Sequence, residues 1–193
     1  MKEGNIVYIF RHGQTYYNKN KIFTGWKDSK LTSKGIEQAK KISNQLKDKK
    51  IDVAIQTSLS RSKDTLKYVL RFHPECKKIL TDDRIIERNY GSLSGKTHKH
   101  ITEKFGEEQY QKWHRGYSIQ NRPPKGECFE DVEKRVRKFI IWLKAYISKN
   151  KVNIAISAHG NSIRLFRKIM ENLSITQTEK LEIPYDKVYI YRI

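Results

Sequence analysis

Two histidines in this chain share a local setting that suits chemistry on phosphorus. His12 lies in Arg11-His12-Gly13 directly after the apolar run Asn5 to Phe10, and His159 lies in Ala158-His159-Gly160 directly after the run Val152 to Ser157. Each run reads as a short strand, and each His-Gly pair as the turn that ends it. A lone histidine after a strand is more often structural or on the surface than catalytic. Two of them, in a fold that gathers strand ends along one edge, shift that balance. Arg11 adjoins the first histidine, and Arg61 falls in the first turn of a helix that Thr57-Ser58 can cap, which aims it at the same edge. An unprotonated imidazole nitrogen attacks phosphorus directly, and arginines supply paired donors that match phosphoryl oxygens as charge builds. The set predicts a phosphoryl-transfer site that needs no metal.

The elements that must position these groups are legible from periodicity. Ile36, Ala39, Ile42 and Leu46 recur at helical spacing within Ser33 to Lys47, and Ile51 to Ile55 follows as a strand. A helix carries Leu59, Leu66, Val69 and Leu70, and Lys78 to Leu80 is a further short strand. Residues 81–127 show no sustained period and hold several glycines and prolines, which predicts an irregular excursion covering the site. Phe129, Val132, Val136, Phe139, Ile140, Leu143, Tyr146 and Ile147 trace the core face of a long helix. After Gly160 comes a helix with Ile163, Leu165, Phe166, Ile169 and Met170, then a last strand near Val188 to Tyr191. Alternating strands and helices predict an α/β fold of three layers, an open, mostly parallel sheet with helices on both faces and ligands bound beyond the carboxyl ends of the strands.

With 193 residues the chain suits one compact domain, 1–193, and no run approaches the apolar length of a membrane span. The N-terminus has no signal-peptide character, so a soluble cytoplasmic protein is expected. Cys76 and Cys128 read as reduced thiols, without the spacing of a zinc site. Forty Lys and Arg against 21 Asp and Glu give a formal charge of +19, which attracts nucleic acid, anionic membranes or small acidic substrates without choosing among them. Much of this lysine is expected to be solvated surface. No recognition-helix, zinc-finger or single-strand-binding signature accompanies it, so neither nucleic acid nor membrane is an expected partner. A homo-oligomer is compatible with this reading.

The block Arg11-His12-Gly13-Gln14-Thr15, with Asn18, resembles the signature of the histidine phosphatase superfamily. Phe23-Thr24-Gly25-Trp26 to Leu31-Thr32-Ser33-Lys34-Gly35, Ser58-Leu59-Ser60-Arg61, Glu87-Arg88-Asn89-Tyr90-Gly91, Trp113-His114-Arg115-Gly116 and Ala158-His159-Gly160-Asn161-Ser162-Ile163-Arg164 follow in the order seen in the cofactor-dependent phosphoglycerate mutases. The resemblance spans nearly the whole chain, and ordered blocks are far more specific than any one tripeptide. It implies a phosphoglycerate mutase-like fold in which His12 becomes phosphohistidine, Arg11, Arg61 and His159 bind the transferring phosphoryl group, and Glu87 is the proton donor and acceptor. From the residues alone, Glu87 reads instead as a surface glutamate paired with Arg84 or Arg88. The resemblance further implies that Asn18, Thr24, Gly25, Tyr90, Arg115, Gly160 and Asn161 contact substrate or surround the nucleophile. His98 stands where those mutases have a lysine, and His114-Arg115 where they have paired arginines, so the substrate clamp is less cationic. The stretch from Gly116 to Phe129 is shorter than theirs and no tail follows Ile193, an arrangement expected to let water reach the phosphohistidine.

The resemblance implies interconversion of 3-phosphoglycerate and 2-phosphoglycerate, primed by 2,3-bisphosphoglycerate and independent of metal, with a small anionic phosphorylated substrate as partner. The alternative is a metal-independent histidine acid phosphatase acting on small phosphomonoesters, since an open pocket lets water take the phosphoryl group. A non-catalytic nucleic-acid-binding protein is a third reading that only the charge suggests.

Overall fold

The computed structural model describes residues 4–193. Five strands form one sheet: β1 (Ile6–Arg11), β2 (Val53–Gln56), β3 (Lys78–Thr81), β4 (Ile154–Ala158) and β5 (Val188–Arg192). Their spatial order is β3-β2-β4-β1-β5; the first four are mutually parallel and β5 is antiparallel to β1. Eight α-helices, besides three short 3-10 turns, accompany the sheet among the described residues: α1 (Tyr16–Lys19), α2 (Ser33–Leu46), α3 (Ser60–Leu70), α4 (His98–Phe105), α5 (Glu107–Arg115), α6 (Phe129–Asn150), α7 (Gly160–Glu171) and α8 (Ile175–Lys180). Among the described residues, no helix is long and apolar enough to cross a membrane.

Strand alternation divides the core in two, because successive side chains point to opposite faces. Val7 and Ile9 of β1, with Val53, Ile55, Ile154 and Ile156, pack under α6 and α7. Tyr8 and Phe10, with Ala54 and Ala155, pack under Ile42 and Leu46 of α2 and Leu66 and Val69 of α3. The fold is therefore the expected three-layer arrangement around a mostly parallel sheet. Glu133 is buried on the core side of α6, where it pairs with Arg137 and Lys168, a position that apolar periodicity alone passes over.

Two local expectations are corrected. Thr57-Ser58 does not cap α3: the helix starts at Ser60, and its cap comes from a distant loop, where the Asp28 carboxylate accepts from the Ser60 N–H at 3.0 Å and from its hydroxyl at 2.9 Å. A local reading of caps cannot see a partner 32 residues away. The stretch 81–127 is not irregular throughout, for it contains α4 and α5. The two are divided at Gly106, whose φ of +83° suits glycine, and they bury little, Ile101 alone in α4 and nothing in α5, so neither shows an apolar stripe.

The turn after β1 is locked against the start of α2. The Gln14 carbonyl accepts from the Thr32 N–H at 2.9 Å, and the Thr32 hydroxyl accepts from the Gly35 N–H at 3.0 Å. A Cβ on Gly35 would lie 2.1 Å from the Gln14 carbonyl oxygen, and one on Gly13 would lie 2.1 Å from the Gly35 carbonyl oxygen. Within a helix, Gly→Ala ordinarily gains up to about 1 kcal/mol, whereas overpacking against backbone costs about 1–3 kcal/mol. Gly35→Ala should therefore destabilise the fold by about 1–2 kcal/mol in urea unfolding. A stabilised variant would show that the α2 contact does not hold the His12 turn.

Candidate active site

The β1–β4 register places the two histidines together. Arg11 pairs with Ala158 across the parallel strands, and the His12 N–H donates to the Ala158 carbonyl at 3.0 Å, so His12 and His159 leave adjacent strand ends at the same level. Their ring centroids are 5.1 Å apart. Both rings are buried.

The His12 ring is fixed at both nitrogens. Nδ1 lies 2.7 Å from the Gly13 carbonyl oxygen, which accepts only, so Nδ1 carries the proton. Nε2 is then the acceptor, and it faces the Arg61 Nε–H at 3.3 Å. Burial, followed by Arg61 and Arg11, pushes the His12 pKa well below the ordinary imidazole value, against a smaller opposing effect of the Gly13 hydrogen bond. The result is a neutral imidazole with its Nε2 lone pair directed at a guanidinium, the state a nucleophile for phosphorus requires.

Arg61 is buried at the start of α3 and holds the loop opposite. Nη2 donates to the Gly25 carbonyl at 2.7 Å and Nη1 to that of Lys27 at 2.9 Å. Burial lowers its pKa to about 10, opposed by Glu87 and Asp28, which leaves it cationic at neutral pH. Arg11 donates Nη1 to the Ile183 carbonyl at 2.9 Å and stacks on Tyr185 at 3.9 Å, while its Nε is buried without a partner. His159 approaches Thr57 Oγ1 through Nε2 at 2.8 Å, and its Nδ1 is likewise buried without a partner. With the hydroxyl donating to Nε2, Nδ1 carries a proton that a phosphoryl oxygen can accept. Burial first, then Arg61 and His12, push the His159 pKa well below the usual range.

Glu87 is not a surface ion pair. Arg84 pairs with Asp82 instead, and Arg88 turns away to donate Nη2 to the carbonyls of Trp113 and His114, at 2.7 and 2.9 Å. Glu87 Oε1 accepts from the N–H groups of Arg88 at 2.7 Å and of Asn161, in the first turn of α7, at 3.2 Å. Its carbonyl is held by Trp26 Nε1 at 2.7 Å and Arg135 Nη2 at 3.0 Å. A carboxyl held this way can exchange a proton through Oε2.

A cavity of about 220 Å³ opens at this edge. Every expected substrate residue lines it: Asn18 from α1, Thr24 and Gly25 from the loop that follows, Tyr90, His98, His114 and Arg115 from the excursion, and Gly160 and Asn161 from the start of α7. Arg11, His12, Arg61 and Glu87 line it as well; His159 is fully buried and is not part of the lining, its ring lying beside that of His12. Backbone pairing of Lys21 and Phe23 with Gly95, Lys96 and His98 brings His98 beside Phe23, and the Arg88 contacts to the last turn of α5 deliver His114 and Arg115. Asn161 Nδ2 donates to Tyr90 OH at 3.0 Å, and its Oδ1 accepts from Arg164.

Lys21, Ile22, Phe23, Arg164, Glu182 and Tyr185 also line the cavity and were not expected. Arg164 closes the matching block Ala158 to Arg164, so its signal was present. Glu182 and Tyr185 lie between α8 and β5, where no periodicity marks them.

The His98 and His114 rings meet at a tilt, 5.1 Å apart, within a cluster that includes Phe23 and Tyr110. Burial, then Arg115, His98, Arg88 and Arg164, lower His114 to about 2, and burial, then Lys21 and Arg115, lower His98. At neutral pH this wall is polar but uncharged.

The histidine phosphatase superfamily (branch 1) model matches residues 7–193. The chain is 34% identical over 212 aligned residues to a 2,3-bisphosphoglycerate-dependent phosphoglycerate mutase of Chlamydia abortus, covering 96% of this chain and 92% of that one. Bacillus stearothermophilus YhfR superposes with a TM-score of 0.84 at 22% identity, covering 96% of this chain and 90% of that one. The alpha-ribazole phosphatase of Shigella flexneri gives 0.83 at 22% identity, with coverages of 96% and 89%. The two structures share this chain's fold.

The lowered histidines carry a consequence for stability. For a base whose pKa is lower folded than unfolded, the unfolded chain binds more protons below about pH 6.5. The stabilisation is complete above that value and is lost as pH falls toward the folded one. His12, His159 and His114 each add a slope of up to about 1.4 kcal/mol per pH unit. Melting temperature should thus fall by several degrees between pH 7 and 5.5, and His114→Phe should flatten that slope. An unchanged slope in the variant would mean that His114 protonates freely in the fold.

Proposed function

The chain belongs to the histidine phosphatase superfamily, and from that premise we propose that it is a 2,3-bisphosphoglycerate-dependent phosphoglycerate mutase. The observation that carries this reading is one cavity in which a neutral His12 Nε2, flanked by Arg11 and Arg61, shares its walls with Arg115, a cation outside the group around His12. A mutase must grip an acid as well as a phosphate; a phosphatase need not. Relatives about a third identical over nearly the full chain, which carry the mutase name, support the same reading.

His12 Nε2 attacks phosphorus, and Arg11, Arg61 and His159 Nδ1 donate to the phosphoryl oxygens as charge develops there. The primer 2,3-bisphosphoglycerate supplies the phosphoryl group that first loads His12. Arg11 Nε, His159 Nδ1 and Arg115 Nη1 are buried donors without partners, a donor set that fits such an anion. The 2-hydroxyl of 3-phosphoglycerate then takes the phosphoryl group from His12 and releases its proton to Glu87. When the 3-phosphoryl group passes back to His12, Glu87 returns that proton to the departing oxygen, leaving 2-phosphoglycerate. One carboxyl thus serves both halves and ends as it began. Arg115 holds the substrate acid, with Asn18, Thr24, Gly25, Tyr90, His98, His114, Gly160 and Asn161 around it.

One observation favours the phosphatase reading. Arg115 is already ion-paired with Glu182, at 2.8 Å, inside the cavity wall.

Purified protein with 3-phosphoglycerate, catalytic 2,3-bisphosphoglycerate and a chelator should form 2-phosphoglycerate faster than free phosphate. Free phosphate as the main product would move the assignment to a phosphatase, and recovery only on adding a divalent metal would contradict arginine-based catalysis. Glu87→Gln should bind 3-phosphoglycerate nearly normally while its maximal rate falls about a hundred- to ten-thousand-fold. A rate within a few-fold of the parent would remove Glu87 from the proton path.

A further inference from the structure

Arg115 ends α5 and reaches the cavity, yet its acidic partner there is a side chain of the same protein. Nη2 donates to Glu182 Oε1 at 2.8 Å, while Nη1 is buried without a partner. The pair is one-sided also in exposure: the Arg115 side chain is 29% accessible and that of Glu182 is 74%. The backbone around Glu182 is held by the site arginines, for Arg164 Nε donates to the Leu181 carbonyl and Arg11 Nη1 to the Ile183 carbonyl, both at 2.9 Å. The main chain of this residue is therefore anchored on both sides, and its carboxylate is free to turn into water.

We propose that Glu182 is a specificity-determining residue whose carboxylate competes for Arg115 with the acid group of the substrate. A phosphate ester bearing a carboxylate has to take Arg115 from Glu182, and one with a neutral tail does not. The proposal rests on the reading above that the substrate acid sits against Arg115. An exposed ion pair is weak, and this one uses a single Nη; a planar carboxylate that meets both Nη1 and Nη2 gains the stronger forked geometry and displaces it. Glu182 also places a negative charge at the cavity wall, where it repels any second anion that does not reach Arg115. Neutral His98 and His114 do nothing to offset that charge, which leaves Lys21 and Arg164 as the remaining cations on that side.

The test is equilibrium binding by calorimetry at fixed ionic strength, using 3-phosphoglycerate and glycerol 3-phosphate, which differ in that a hydroxymethyl group replaces the carboxylate. Glu182→Gln keeps the shape of a largely exposed side chain. It should shift the ratio of the two dissociation constants in favour of 3-phosphoglycerate by about three- to tenfold, and the shift should vanish when Arg115→Ala is added. An unchanged ratio, an equal tightening of both ligands, or a shift that survives the loss of Arg115 would each overturn the proposal. The mutase reading fails separately: a protein that binds 3-phosphoglycerate without converting it refutes that reading, and the binding ratio still judges Glu182.

Discussion

Arg11 faces Ala158 across two parallel strands, and the chemistry at the sheet edge depends on that pairing. A slip of one residue would turn every side chain of β1 to the opposite face, putting Val7 and Ile9 under α2 and α3 and carrying His12 away from His159. The apolar alternation that fills both halves of the core therefore also fixes His12 beside His159. The turn that follows is held by Gly13 and Gly35, where the backbone of the site meets the backbone of α2 with no room for a Cβ.

The second constraint is electrostatic. Arg11, Arg61 and Arg164 converge on a buried space, and Glu87 is a buried acidic group beside them. Burial first, and that charge second, keep the imidazoles neutral, so the His12 Nε2 lone pair faces Arg61 and His159 is left with a buried Nδ1 that has no partner. Burial, then Arg115 with Lys21 beside His98 and with Arg88 and Arg164 beside His114, lowers the other two imidazoles, so the wall opposite His12 does not add to the cationic charge despite four ring nitrogens. Arg115 on that side is a cation in the cavity wall, where Glu182 pairs with it.

Much of this was legible in the sequence because strand alternation and helical stripes are local, and His12, His159 and Arg61 sit at element boundaries that those patterns mark. The fold class and the gathering of the two His-Gly turns followed from them. The blocks around Glu87 and Arg115 were legible only by resemblance, since no periodicity leads from residue 81 to 127 and α5 buries nothing. Features made by long-range contacts were not legible: Asp28 capping α3, Arg88 holding the end of α5, and Glu182 meeting Arg115 across 67 residues. Each joins segments whose local sequence says nothing of the other.

The most direct test of the central claim, that His12 attacks through an unprotonated Nε2, is to quench the protein during turnover of 2,3-bisphosphoglycerate and examine the acid-labile phosphate by peptide mapping and phosphorus NMR. The phosphate should map to His12 and show the Nε2-linked isomer. Phosphate on Nδ1 of His12, or on His159, would contradict the arrangement in which Gly13 holds the Nδ1 proton and Arg61 faces the reactive nitrogen.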